Sequence, residues 1–212
     1  FMMRMRIPAG QYTSSQGREI AKFTNERARG LIDVTTRQCF QVHWLTIADI
    51  PPIIDKLEEI GLGVLGACGD ITRNVTGNPL AGIDPEEYLS ATDLINRYVK
   101  EIAERSDLGD LPRKFKVSIS GAPHNLAQPE INCIGIVGAK LEVNGETKYG
   151  YTIRVGGGLS TSPYFSKWLN VFLQDDNEVL AVCAGLTELY RDNGNRENRR
   201  KSRMKFLMED WG

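Results

Sequence analysis

The sequence has no apolar run approaching the roughly 20 residues that a membrane helix needs. Its first residues also lack the basic start, apolar stretch and small-residue cleavage site of a secretory signal. These absences give the expectation of a cytoplasmic chain with no membrane partner. There is little net charge: 26 basic and 27 acidic residues leave −1 at pH 7. A global pull toward nucleic acid is therefore excluded, and any anion site must be built from local clusters. Cysteine is sparse, and Cys39, Cys68, Cys133 and Cys183 lie far apart with no C-x-x-C pair. That argues against a local zinc or iron–sulfur site and against a disulfide framework. Neither His43 nor His124 has a partner at metal-ligand spacing. A P-loop, a nucleophile elbow and a strand-borne G-x-G-x-x-G are also missing, so nucleotide binding has no support.

What is present reads as alternating strands and helices. Phe1–Ile7 is strand-like, and Thr13-x-x-Gln16 opens a helix that turns Ile20, Phe23 and Ala28 toward a core. Leu31–Thr36 and Phe40–Leu45 read as short strands. A helix follows Thr46–Asp49, with Pro51-Pro52 in its first turn, an apolar stripe of Ile53, Ile54, Leu57 and Ile60, and Gly61 as its stop. From Gly69 to Pro85 the composition turns to Gly, Asn and Pro, which places a domain boundary near residue 68. Beyond it the spacing predicts a helix through Leu94, Ile95, Tyr98, Val99 and Ile102, then strands at Phe115–Ser120, Ile134–Val143 and Tyr149–Val155. Gly156-Gly157-Gly158 breaks the pattern. A helix capped by Asn177 and ended by Asn193-Gly194 comes next, and a basic helix over Arg196–Asp210 closes the chain. The sequence opens directly in a strand pattern and stops just after a helical one, so neither end reads as a natural terminus.

Four basic features carry possible chemistry. Strand period two puts Lys114 and Lys116 on one face and Phe115 and Val117 on the other, and Arg4 and Arg6 repeat this in the first strand. A solvated strand face would show the same alternation. Arg73 lies in a polar stretch suited to presenting a guanidinium and backbone N–H groups to an anion, as a surface turn would also be. The last segment brings Arg196, Arg200 and Arg203 to one helical face, with Lys205 beyond, where they could meet either solvent or a polycarboxylate. The glycine run allows a close backbone approach to a negative group.

Taken in order, the blocks F-M-M-R-M-R-I-P, T-T-R-Q-C-F-Q-V-H, D-I-T-R-N-V-T-G, L-P-R-K-F-K-V-S-I-S-G, V-G-G-G-L-S and N-G-N-R-E-N-R-R-K-S-R-M-K-F resemble the siroheme and [4Fe-4S] sulfite/nitrite reductases. They span nearly the whole chain. The resemblance implies an α+β / α/β fold: half of a shared ferredoxin-like domain over residues 1–68, then one siroheme-binding sulfite/nitrite reductase α/β domain over residues 69–212. It implies the first half of a tandem chain, continued by a second half of the same polypeptide.

By motif, the resemblance places the cations that hold the substrate anion at Arg4, Arg73, Lys114 and Lys116. It implies siroheme contacts at Arg37, Gln41 and His43, at Arg203 and Lys205, and in the pocket lining at Asn74, Gly156, Gly157 and Gly158. The activity implied is six-electron reduction of sulfite to sulfide, or of nitrite to ammonia, with ferredoxin or a flavoprotein as electron donor. Lys116 tilts the choice to sulfite, because nitrite-devoted members often carry asparagine there. The family's four cluster cysteines, in C-x5-C and C-x3-C spacing, do not occur in this sequence. The expectation is a piece of a longer enzyme that is inactive alone. A non-catalytic half-length protein that binds siroheme or a partner half is the competing class.

Overall fold

A computed structural model describes all residues, 1–212. The first strand, β1 (Met3–Met5), buries Met3 and Met5 and turns Arg4 the other way. Helix α1 (Ser14–Arg27) starts with the capping box read from the sequence: the Gln16 amide donates to Thr13 Oγ1 at 3.2 Å, and the Thr13 amide donates to Gln16 Oε1 at 2.8 Å. Strands β2 (Asp33–Val34) and β3 (Phe40–Val42) complete an antiparallel sheet in the order β1-β3-β2. The predicted strand at Leu31–Thr36 therefore shrinks to two exposed residues at the sheet edge, while Ile32 just before them packs against the core. Helix α2 (Ile50–Glu59) carries prolines in its first turn, where their missing N–H groups are not needed, and Gly61 leaves it at a φ of +74°. A core of Met5, Ile7, Ile20, Phe23, Val42, Ile53 and Leu57 holds these elements together.

The remainder forms one mixed five-stranded sheet. Strand β4 (Thr76–Gly77) pairs parallel to β5 (Val117–Ser120), and β5 pairs parallel to β6 (Ile134–Val143). Strand β7 (Glu146–Val155) returns antiparallel to β6, and β8 (Lys167–Trp168) closes the edge. Asn144 and Gly145 both have positive φ, 53° and 84°, so the two-residue Asn-Gly turn starts β7 earlier than the apolar pattern alone predicts. Helices α3 (Thr92–Tyr98), α4 (Asp176–Asn193) and α5 (Met204–Trp211) supply Leu94, Tyr98, Val179, Cys183, Tyr190 and Met204 to a second core, in which Phe115 stacks on Tyr190 at 5.3 Å. No helix is long and apolar enough to cross a membrane.

Two helix readings need correction. Asp175, not Asn177, caps α4: its side chain accepts from the Asn177 amide at 2.8 Å. The basic segment is helical only from Met204, so Arg196, Arg200 and Arg203 do not share a helical face. Asn195 and Asn198 accept from the amides of Asn198 and Arg200, at 2.8 and 3.1 Å, and these local turns compete with helix.

Two elements of the fold tie the first unit to the second. The Gln38 side chain bonds both the amide and the carbonyl of Gly77, at 2.8 and 3.0 Å, as a neighbouring strand would. Buried Arg6 reaches the Thr72 carbonyl and Glu104, both at 3.3 Å.

Candidate functional site

The seam between the two units opens into a cavity of about 520 Å³ that receives Arg4, Arg37, Arg73, Lys114 and Lys116. Arg4 arrives from β1, directly opposite Gln41 of β3, and donates through Nε to Gln41 Oε1 at 2.8 Å. Its Nη1 reaches the Ala67 carbonyl and Cys68 Sγ, each at 3.1 Å. Arg73 follows a bridge between Thr72 and Phe115 and donates to the Gly69 carbonyl at 2.8 Å. Lys114 and Lys116 face the cavity because Phe115 and Val117 are fully buried, so the alternation read from the sequence persists although β5 begins only at Val117. Arg37 crosses from the first unit to donate to Asn132 Oδ1 at 2.7 Å and to the Val117 carbonyl at 3.2 Å.

The electrostatics follow from burial and mutual repulsion. Burial, then Arg37 and Arg203, brings the Lys116 ammonium down to about 8. Lys114 is lowered by burial and by Arg203 and Arg73. Burial takes Arg37 to about 10, opposed by Cys133 and Cys39, and Arg73 also falls chiefly through burial. None of the hydrogen bonds made by the three arginines goes to a carboxylate. Five cations sharing one hollow without a counter-charge form a site prepared for an anion.

A second cavity of about 550 Å³ shares Lys114 and adds Arg113, Arg199, Arg200, Arg203 and Lys205 to its wall, with no acidic residue among those lining it. Arg203 is nearly buried and its Nε has no partner. Asp70 lies behind the wall, bridging Arg113 at 3.2 Å and Arg199 at 2.7 Å. Burial alone would raise the Asp70 carboxyl, yet the two arginines hold it below its ordinary value. Lys205 donates to the carbonyls of Leu159 and Ser162, fixing the loop that ends the glycine run.

Several residues expected at the site stand elsewhere. Asn74 is fully buried and lines neither cavity; its Nδ2 donates to the carbonyls of Ile7, Arg37 and Gln38, at 2.7, 2.9 and 3.3 Å. It fixes the turn bearing Arg37. His43 faces Asp33 at 2.9 Å, outside both cavities. Gly156, Gly157 and Gly158 line neither cavity. A Cβ on Gly157 would stand 2.2 Å from the Glu130 carbonyl, and one on Gly158 would stand 3.1 Å from Arg203, so the glycines admit the protein's own backbone and side chains. Conversely, Thr35, Thr36, Gln128 and Ile131 line the first cavity, and Ser160, Thr161 and Phe206 the second, without being singled out from the sequence. Thr35, Thr36, Ser160 and Phe206 lie inside the quoted blocks, but Gln128 enters through a left-handed turn with φ +53° that no motif announced.

These residues do not fit an iron–sulfur cluster. Cys39, Cys133 and Cys183 are buried, Cys68 is exposed, and no group of three potential metal ligands comes together.

Fold and site together place two adjoining cation-lined cavities at and beside the seam of a two-unit α/β chain. Residues 1–60 match the nitrite/sulfite reductase ferredoxin-like half domain, and residues 68–212 match the nitrite and sulphite reductase 4Fe-4S domain. The chain therefore belongs to the nitrite and sulfite reductase family. It is 40% identical to an assimilatory ferredoxin-dependent nitrite reductase of Haloferax mediterranei and 38% identical to a ferredoxin sulfite reductase of Mycobacterium tuberculosis, in both cases over all of its own length. The NirA protein of Mycobacterium tuberculosis superposes with a TM-score of 0.93 at 37% identity. A dissimilatory sulfite reductase shares the fold, with a TM-score of 0.78 at 12% identity. The chain spans 38% and 37% of the lengths of the two curated relatives.

Proposed function

We propose that this chain is the first half of a siroheme- and [4Fe-4S]-dependent reductase that converts sulfite to sulfide, with the cluster ligands supplied by residues outside it. The observation that carries the reading is the meeting of Arg4, Arg73, Lys114 and Lys116 in one cavity. The adjoining wall of Arg113, Arg199, Arg200, Arg203 and Lys205 suits the carboxylates of siroheme, and Arg203 keeps an Nε that no group of the protein satisfies. Arg37 and Gln41, at the edge of the first cavity, would hold the same group. When bound, siroheme would supply the iron that receives the anion and passes it electrons. The relatives named as ferredoxin-dependent support a ferredoxin as the donor.

The chain's own part is electrostatic. Reducing sulfite removes its oxygens as water, so the site must hold an anion, polarise S–O bonds and supply protons. A charge pair about 4 Å apart is worth roughly 4 kcal/mol at an effective dielectric of 20, and about 1 in water, so partial burial of the cluster multiplies its effect. A guanidinium is a fixed charge rather than a proton donor, so the arginines serve as anchors. Lys116, at about 8, stays mostly protonated near neutrality while giving up its proton far more readily than a free lysine.

Nitrite is the second reading, favoured by the Haloferax relative's name, and Lys116 is the residue on which the two divide. The test is sulfite and nitrite binding to the complete, siroheme-loaded protein, read from the shift of the cofactor's absorption bands. Replacing any of Arg4, Arg73, Lys114 or Lys116 by alanine is expected to weaken the response at least tenfold. Unaltered affinity in all four variants would refute the proposal. If the reading frame stopped at Gly212 without a second half bearing the cysteine pattern, a non-catalytic siroheme-binding protein would replace it.

A further inference from the structure

Arginines in this protein usually pair with carboxylates: Arg97 with Glu101 at 2.7 Å, Arg105 with Asp107 at 2.6 Å, Arg196 with Asp110 at 3.2 Å. The first cavity departs from that habit. Arg4 is oriented by the Gln41 amide oxygen, the Ala67 carbonyl and the Cys68 sulfur; Arg73 by the Gly69 and Ala67 carbonyls; Arg37 by the Asn132 amide oxygen and the Val117 carbonyl.

We propose that Gln41 and Asn132 are positioning residues whose uncharged oxygens fix Arg4 and Arg37 without cancelling their charge, so that each guanidinium acts at full strength on the anion. Both are well placed to do so. Gln41 sits opposite Arg4 in the β1–β3 register, which sets the reach of its amide. Asn132 is buried, and its Nδ2 donates to the Gln128 carbonyl at 2.7 Å, so its Oδ1 can only face Arg37. A glutamate or aspartate would hold the same guanidiniums more tightly. It would also set a negative charge beside the anion and offset much of the local field. The choice of amide over acid thus gives up binding strength within the protein for attraction toward the ligand.

This inference rests on the anion-site reading above, and its test separates the two. Lys116 reports the local field, because the groups that act on it most are Arg37 from the first unit, Arg203 just before α5, Cys133 before β6 and Lys114 two residues before it, with Arg4 and Arg73 lining the same cavity. In the complete protein, the rate of Lys116 reductive methylation against pH, read by mass spectrometry, gives its midpoint. Asn132→Asp is expected to raise that midpoint by about one pH unit, a tenfold change in the fraction deprotonated, whereas Asn132→Ala is not.

Gln41→Glu replaces a side chain of the same shape at the other arginine, so it serves if the aspartate variant does not fold. It is expected to weaken sulfite and nitrite binding about tenfold, compared at equal cofactor absorbance per chain, while the melting temperature stays level or rises. A Lys116 midpoint unmoved by Asn132→Asp, or anion binding unweakened by Gln41→Glu, would overturn the proposal. If the unmodified protein bound neither anion, the anion-site reading would fall, and the methylation midpoint would still decide whether the amides preserve the field.

Discussion

Arg4 and Arg73, from different units, donate to the same acceptor, the Ala67 carbonyl, at 3.1 and 3.4 Å. Two like charges are thereby held near one point by a group that neutralises neither. The arrangement needs the planar fork of arginine, since Arg4 must also reach Gln41 through Nε. Arg4→Lys keeps the charge and loses the fork. We expect it to lower kcat/KM for the anion by tenfold to hundredfold, about 1.5–3 kcal/mol for lost charge-assisted bonds. Steady-state kinetics of the complete reductase would check this, and a value within twofold of the parent would contradict it.

Lys116 should decide between anions. Lys116→Asn removes a proton donor and one positive charge and leaves the other four cations in place, so the more highly charged sulfite loses more than nitrite. The ratio of kcat/KM values is expected to move toward nitrite by about tenfold. An unchanged ratio would remove the basis for preferring sulfite.

The pH response has a definite sign. Lys116 titrates at about 8 in the folded chain, against an ordinary value of 10.5. Below about pH 8 the ammonium is charged in both states and its burial weighs against the fold. From about 8 to 10.5 the unfolded chain holds the extra proton, so stability rises with pH across that window. Activity should run the other way, declining above about pH 8 as the donor is lost. Lys116→Met is expected to stabilise the protein in denaturant at pH 7 and to flatten that rise. A variant no more stable than the parent at pH 7 would show that the lysine pays no such burial cost.

Arg37→Ala should lower siroheme content and loosen the seam together. Asn132 Oδ1 and the Val117 carbonyl both lose a charged donor, at a cost of about 1–3 kcal/mol. The absorbance of the cofactor per chain in freshly purified protein is the measurement; full occupancy would mean that Arg37 does not hold the group.

Asn74→Ala separates a structural tie from a ligand contact. If the side chain only ties the carbonyls of Ile7, Arg37 and Gln38, the variant should lose about 1–3 kcal/mol in denaturant unfolding, yet bind the anion normally once folded. Undiminished stability would instead return Asn74 to the list of ligand contacts.

The alternation around Phe115 and the capping box at Thr13 were legible because each is a short-range pattern with one physical cause. The convergence of Arg4 with Arg73 and the lysines was not visible in any period. It came from the order of motifs, which reflects a fold too long-range for spacing to encode. Motif neighbours are not equivalent in the fold: His43 and Asn74 stand beside cavity residues in the sequence, but their side chains turn to Asp33 and to backbone carbonyls. The late basic segment misled for a local reason, since Asn195 and Asn198 are turn formers inside a run that otherwise resembles a helix.

Arg4 and Arg37 belong to the first unit, whereas Arg73, Lys114 and Lys116 belong to the second. The hollow is therefore an instrument that measures how the two units are docked. A rotation of one against the other by a few degrees would separate the guanidiniums from the ammoniums without breaking any strand. Trimming the gene to residues 68–212 would leave a complete five-stranded sheet that has forgotten its ligand.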